Sequence, residues 1–137
     1  MQYRRLGQSD FDVSVISFGA WQLGDPNFWG PDAAADGEAA VATAIDAGVN
    51  LFDTAEMYGD GASEEALGRA LGAKRGQVLI ASKFLPEHGA PEQLRASCEA
   101  SLRRLGTDYI DLYQVHWPVR DTPFEDVYAT LSDLREE

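Results

Sequence analysis

The sequence alternates four times in succession between a short apolar segment and a longer amphipathic one. The apolar segments are VISFG (15–19), VNLFDT (49–54), QVLIASKF (77–84) and DYIDLYQVHW (108–117). Each is short and nearly continuous in apolar residues, which is typical of a parallel strand buried on both faces. Strands and helices that alternate in this way predict a parallel sheet with right-handed crossovers.

The amphipathic segments predict four helices, which begin at Gly37, near Ser63, near Pro91 and at Pro123. Ser63 is predicted to cap the second helix, and Thr122 and Glu125 are predicted to form a capping box at the fourth. Gly48 and Gly106 are expected to end the first helix, over 37–47, and the third.

A short β-hairpin is predicted before the four units. Residues 3–6 and 11–15 have strand character, and GQSD between them supplies the turn. We interpret residues 1–137 as one domain, with the hairpin at 1–15 and βα units over 16–137. Two α/β architectures fit this order, an open doubly wound sheet and half of a (β/α)8 barrel. G-x-G-x-x-G and P-loop motifs do not occur after the strands.

Charge and composition restrict the partners of the protein. Acidic residues outnumber basic ones by 23 to 11, and the basic residues are scattered, which argues against nucleic acid and anionic membranes. No apolar run approaches the roughly 20 residues needed to cross a bilayer. The single cysteine, Cys98, excludes an internal disulfide and favours a reducing compartment, so we expect a cytoplasmic protein.

Polar residues lie at the carboxyl ends of three consecutive predicted strands. These residues are Asp53, Lys83 and His116, and Tyr58 follows Asp53 in the next loop. Taken singly, each has an ordinary structural explanation, such as a capping carboxylate or a core histidine. Together they favour the barrel, because barrel proteins place their chemistry at this end of the strands. A lysine and an aspartate on adjacent strands would also pair in a poorly solvated mouth.

This set of side chains is suited to moving a proton at a carbonyl oxygen. An ammonium group favours the phenolate form of a neighbouring tyrosine, so Tyr58 beside Lys83 can exchange a proton nearer neutral pH. Asp53 keeps the lysine charged and oriented, and a neutral His116 can hydrogen-bond the same oxygen. None of these groups is a nucleophile with an adjacent base, and one histidine with scattered acids is a poor metal site.

Four stretches resemble the aldo-keto reductase family: YRRLGQSDFDVSVISFGAWQLG, FDTAEMYGDGASEEALGRAL, IASKF and SLRRLGTDYIDLYQVHWP. They occur in order along the whole chain. The resemblance implies a (β/α)8 barrel with a hairpin across its bottom, and hydride transfer from NADPH to aldehydes or ketones. It places Asp53, Tyr58, Lys83 and His116 at the positions of the catalytic tetrad. Tyr58 would be the general acid, and Lys83 and Asp53 would adjust its pKa. His116 would orient the carbonyl.

The resemblance also implies binding residues outside the tetrad. Trp21, Gln22 and Asp53 match positions that bind the cofactor, and Trp21 and Trp117 match positions that line the substrate cleft. Packing within loops is an equally good explanation for the two tryptophans and the glutamine. Arg120 lies at the same rim, where a solvated surface arginine is the simpler interpretation. No residue is predicted to bind a metal.

The number of βα units is the main departure from the family pattern. A complete barrel needs about 250 residues, whereas these four units supply half of one. Four parallel strands alone would expose an apolar inner face and two unpaired edges. We therefore expect association, with a homodimer through the open barrel edges as one closed solution. A non-catalytic half-barrel subunit or interaction module, and a fragment of a longer protein, are the alternative interpretations.

Overall fold

The computed structural model describes residues 1–24, 29–30 and 33–137, and in these residues strands and helices alternate as predicted. The strands are β1 (Tyr3–Arg5), β2 (Asp12–Ser14), β3 (Phe18–Gly19), β4 (Leu51–Asp53), β5 (Leu79–Phe84) and β6 (Leu112–Val115). The helices are α1 (Ala33–Asp46), α2 (Ala62–Leu71), α3 (Pro91–Leu105) and α4 (Phe124–Glu136). Short 3-10 turns occupy Trp21–Leu23, Gly72–Gln77 and Pro86–His88. None of the helices described has the length and apolar character required to cross a membrane.

The strands form two sheets. β1 and β2 pair as the predicted antiparallel hairpin, and β3, β4, β5 and β6 form a parallel sheet in that order. A doubly wound sheet reverses the direction of strand addition at a switch point, whereas here each new strand is added on the same side. The parallel sheet and its helices are therefore half of a (β/α)8 barrel, which confirms the second of the two predicted architectures.

The two faces of the parallel sheet have different roles. Phe52 and Ile80 point to the outer face, where they are fully buried against residues of α1 and α2 such as Val41 and Leu67. Because side chains alternate along a strand, the neighbours of these residues point to the inner face. The main apolar core therefore lies between sheet and helices, and the inner face is left for other contacts.

The hairpin is fixed to the sheet near the beginning of β4. The side chain of Asn50 accepts a hydrogen bond from the Ser14 amide at 2.7 Å and donates to the Asp12 carbonyl at 2.8 Å. The Tyr3 hydroxyl donates to the Gly48 carbonyl at 2.8 Å. These contacts hold the hairpin at the amino ends of the strands, away from Asp53.

Two predicted helix caps are wrong. α2 has Gly61 as its N-cap, and the Ser63 hydroxyl instead donates to the Ala20 carbonyl at 2.6 Å. At α4, Pro123 is the N-cap rather than the first helical residue. No described side chain caps that end, so Thr122 does not form the predicted capping box.

The boundaries of other elements also differ from the predictions. α1 begins at Ala33 rather than Gly37, while Gly48 and Gly106 follow their helices with φ of +86° and +65°, as predicted. Strand β6, at Leu112–Val115, is shorter than the segment 108–117 that was predicted for it. Asp111 lies outside it because its carboxylate accepts a hydrogen bond from the Ile80 amide at 2.8 Å, a bond that a strand carbonyl would otherwise make.

Close contact between α2 and α3 depends on Gly68, and a mutation there tests the helix packing. A Cβ atom at this position would lie 2.4 Å from the Leu105 carbonyl oxygen. We expect Gly68→Ala to lower the free energy of unfolding by about 1–3 kcal/mol, the usual cost of overpacking, although alanine is the better helix former. Urea denaturation followed by circular dichroism measures this change.

Gly76→Ala is the matched control, because no described atom lies within 4 Å of a Cβ built at Gly76. It should leave the stability nearly unchanged. A Gly68→Ala protein as stable as the wild type would contradict the close approach of the two helices.

Candidate active site

The ends of β4 and β5 bring Asp53 and Lys83 together. Asp53 pairs with Ala81, so Lys83 lies two residues further along β5 on the same face of the sheet. Lys83 Nζ is 2.7 Å from Asp53 Oδ1 and donates to the Thr54 carbonyl, also at 2.7 Å. The lysine side chain is only 15% exposed, so these contacts compensate for the loss of its hydration.

The loop after β4 places Tyr58 beside this ion pair. Lys83 Nζ lies 5.1 Å from the centroid of the Tyr58 ring, within the range of a cation–π contact. Three consecutive residues after Tyr58, at 59–61, have positive φ, and Asp60 is the one among them that is not glycine. This backbone turns the chain sharply between the tyrosine and the start of α2.

His116 joins the cluster from the end of β6. Its amide donates to the Phe84 carbonyl at 2.9 Å, and its ring lies edge-on to Tyr58 with 5.5 Å between centroids. Burial lowers the pKa of His116 below its usual value, and the nearby Lys83 lowers it further, with Asp53 acting in the opposite direction. The ring is therefore neutral at pH 7. Its Nδ1 atom is buried, with no hydrogen-bond partner among the described residues.

Two aromatic side chains flank the cluster. Trp21 lies 5.9 Å from Tyr58 between ring centroids, and Trp117 stacks on His116 at 4.3 Å. The two tryptophans are 41% and 50% exposed, so their rings form part of an open surface beside the phenol. Trp29, which the sequence did not single out, packs edge-on against Trp21.

Two other predicted residues line separate cavities. Gln22 lines one of about 410 Å³ with Phe18 and Trp29. Arg120 lines another of about 440 Å³ with Pro86 and Trp117. The structure thus brings Asp53, Tyr58, Lys83 and His116 into one cluster, with the tryptophans at its border and Gln22 and Arg120 further out.

A further residue, Glu56, lies buried in the loop between Asp53 and Tyr58, and the sequence does not single it out. No local sequence pattern identifies it, because its burial depends on contacts with Leu85 and His88, which are remote in the sequence. Nowhere in the described ranges do three or more His, Cys, Asp or Glu side chains form a group that could hold a metal ion. The cluster contains a phenol, an ammonium group and a neutral imidazole, which together can stabilise charge that develops on an oxygen.

The fold and the cluster define half of a (β/α)8-barrel protein with its polar groups at the carboxyl ends of the strands. The chain belongs to the aldo/keto reductase family, since the model of that family matches residues 15–137. This match confirms the resemblance seen in the sequence.

Individual relatives agree with the family assignment. The aldo-keto reductase YhdN of Bacillus subtilis is 37% identical, with 98% of this chain and 43% of that protein covered. The crystal structure of the thermostable aldo-keto reductase Tm1743 with the inhibitor epalrestat gives a TM-score of 0.88 at 33% identity, covering 99% of this chain and 50% of that one. An aldo-keto reductase from Klebsiella pneumoniae in complex with NADPH gives 0.83 at 36% identity, covering 91% and 42%. The chain thus spans half or less of the length of these relatives.

The environment of His116 makes its titration a test of the cluster. We expect the NMR titration midpoint of its ring to lie below the ordinary value of 6.5. Lys83→Met should raise the midpoint relative to wild type, because it removes a nearby positive charge and leaves Asp53 and Glu56 unopposed. A His116→Asn variant identifies the signal, and a wild-type midpoint at or above 6.5 would contradict the buried, neutral ring.

The same shift has a consequence for stability. As pH falls through about 6.5 the unfolded chain binds this proton before the folded chain does. The contribution of His116 to stability is therefore fully present well above pH 6.5 and decreases as the pH falls below it.

Proposed function

We propose that this chain, as an oligomer, reduces aldehydes or ketones to alcohols with NADPH. The observation that carries the proposal is the Lys83–Asp53 ion pair, which lies beside both the Tyr58 phenol and a neutral His116. A proton donor, a cation that stabilises its conjugate base and an uncharged hydrogen-bonding ring are suited to the proton-transfer part of carbonyl reduction. The family membership of the chain supports the same reaction class.

Each member of the cluster has a distinct part in the proposed reaction. The Tyr58 hydroxyl gives its proton to the carbonyl oxygen, which becomes the hydroxyl of the alcohol. Lys83 stabilises the phenolate that remains, and Asp53 holds Lys83 in place through the 2.7 Å contact. His116 directs the carbonyl oxygen towards Tyr58. NADPH, when bound, supplies the hydride for the carbonyl carbon.

The residues around the cluster fit the nicotinamide end of such a cofactor. His116 is a neutral, partly exposed ring beside Tyr58, so its edge can meet a bound molecule next to the phenol. The exposed rings of Trp21 and Trp117 present flat apolar surfaces beside Tyr58. We propose that Trp21, Gln22 and Asp53 contact the cofactor, and that Trp21 and Trp117 contact the carbonyl substrate.

We further propose a homodimer that closes the open edges of the half barrel. β3 and β6 are the edge strands of the described sheet, so each has backbone groups available to another strand. Large apolar side chains lie exposed near one edge, where Ile16 is 62% accessible, and on α4, where Phe124 is 75% accessible.

We also propose that the protein works in the reducing cytoplasm, which its single cysteine supports.

A non-catalytic half-barrel subunit or interaction module is the second candidate function. It is favoured by one observation, namely the edge strands β3 and β6 of the described sheet, with which strands of another chain can pair. Saturable binding of NADPH by the purified chain, followed by cofactor fluorescence, would count against this candidate.

Removing the Tyr58 hydroxyl tests the proposed reaction. With a panel of aldehydes and either NADPH or NADH, we expect Tyr58→Phe to lower kcat by about 100-fold or more, as for loss of a general acid. Tyr109→Phe is the matched control, because it removes the same atom from a ring that lies against Arg75 instead. Equal rates for wild type and Tyr58→Phe would refute the assignment of Tyr58.

Light scattering tests the proposed dimer. We expect a mass of twice the 15.0 kDa of one chain, with and without NADPH. Ile16→Asp should shift the protein towards the monomer, because it puts a charge on an apolar edge. Glu136→Gln is the control on an exposed helix end. A stable wild-type monomer would contradict the dimer.

A further inference from the structure

Glu56 is a buried acid that takes no part in the proposed reaction. It lies three residues after Asp53 and two before Tyr58, and its side chain is 8% exposed. A buried carboxylate is unfavourable unless it is well hydrogen-bonded. Its contacts therefore show what holds this part of the loop.

Glu56 is attached to the segment after β5 by both its backbone and its side chain. Its amide donates to the Lys83 carbonyl at 3.2 Å. Its Oε1 atom accepts from the Leu85 amide at 2.5 Å and lies 2.9 Å from His88 Nδ1. The Ser97 hydroxyl of α3 is also 2.9 Å from that nitrogen. Glu56 thus joins the Tyr58 loop to the segment that runs from the Lys83 carbonyl to His88.

The contact with His88 depends on which nitrogen of its ring carries the proton. An ionised carboxylate can only accept hydrogen bonds, so the 2.9 Å contact is a hydrogen bond in the tautomer with a proton on His88 Nδ1. The Ser97 oxygen then lies where it can share that proton as a second acceptor. The imidazole is in this way held between a loop residue and a helix residue.

The other end of the Tyr58 loop is also attached through a buried acid. Glu64, fully buried in α2, accepts from the Ser82 hydroxyl at 2.5 Å and from Arg104 Nε at 2.6 Å. Between the two acids, Asp60 has φ of +53°, a conformation that is unfavourable for a residue other than glycine. The surrounding contacts must supply the free energy that keeps the loop in this shape.

We propose that Glu56 is a positioning residue for Tyr58, and that it acts by bridging the Tyr58 loop to the Leu85 amide and the His88 imidazole. The bridge fixes the phenol relative to Lys83, since Glu56 bonds to the Lys83 carbonyl and to the Leu85 amide two residues further along. It acts through hydrogen bonds, so an uncharged side chain of the same shape can replace it. This inference rests on the proposed function for its effect on rate, but the loop geometry can be tested independently.

Two substitutions at Glu56 separate hydrogen bonding from charge. Glu56→Gln keeps an oxygen that can accept from Leu85 and His88 but carries no charge. Glu56→Ala removes both. Glu87→Ala is the control, because it removes an equal charge from an exposed position next to His88.

The first measurement is hydrogen exchange of the amides in residues 56–63, which needs no catalytic activity. We expect exchange about tenfold faster in Glu56→Ala, because a buried bond to a charged group is lost, and near the wild-type rate in Glu56→Gln and Glu87→Ala. The second measurement is NADPH oxidation. We expect kcat to fall about tenfold in Glu56→Ala with KM for NADPH nearly unchanged, and to be largely retained in Glu56→Gln.

These outcomes distinguish failure of the inference from failure of the proposed function. A wild-type chain without reductase activity would refute the function, and the exchange rates would still decide the role of Glu56. Unchanged exchange in Glu56→Ala would overturn the inference. A kcat as low in Glu56→Gln as in Glu56→Ala would also overturn it, because the charge of Glu56 would then be responsible for the effect.

A second variant covers the case in which Glu56→Ala does not fold. His88→Ala removes the imidazole but leaves the carboxylate bonded to the Leu85 amide. We expect exchange of the same amides to rise about threefold, in line with the loss of one neutral donor. An unchanged rate in His88→Ala would overturn the bridge.

Discussion

The ion pair between Lys83 and Asp53 is the interaction on which the arrangement of the cluster depends. A lysine that is 15% exposed needs acceptors close to its ammonium group, and Asp53 and the Thr54 carbonyl each lie at 2.7 Å. A shift of one residue in the pairing of β5 with β4 would turn Lys83 to the face covered by helices. Strand register and ion pair therefore reinforce each other, and the Tyr58 loop starts from the same strand end.

Apolar packing and chemistry are separated in this half barrel. Phe52 and Ile80 point to the helices, whereas Asp53 and Lys83, their sequence neighbours or near neighbours, point the other way. The loops above the sheet are also held by polar contacts, such as the Ser63 hydroxyl that donates to the Ala20 carbonyl. Such contacts are directional, so they define the position of a side chain more closely than apolar packing alone does.

Features that depend on local periodicity could be predicted from the sequence. Features that depend on contacts between residues remote in the sequence could not. Four strand–helix units and the placement of polar residues at strand ends follow from local patterns, and the structure shows both. Serine is a common N-cap residue, but the hydroxyl of Ser63 donates to the buried Ala20 carbonyl instead. The Ile80 amide donates to the Asp111 carboxylate rather than to a carbonyl of the neighbouring strand. Glu56 was overlooked because its partners, Leu85 and His88, lie about thirty residues away in the sequence.

The cluster of Asp53, Tyr58, Lys83 and His116 lies entirely within this half of the barrel. Asp53, Lys83 and His116 come from three adjacent strands, and Tyr58 comes from the loop between two of them, so their contacts form entirely within four βα units. The edges β3 and β6, by contrast, each pair on one side only within the described sheet. A surface that completes the barrel must therefore offer strands to both edges. Under the proposed function, such a surface would enclose the cofactor, while the proton-transfer groups would come from the cluster itself.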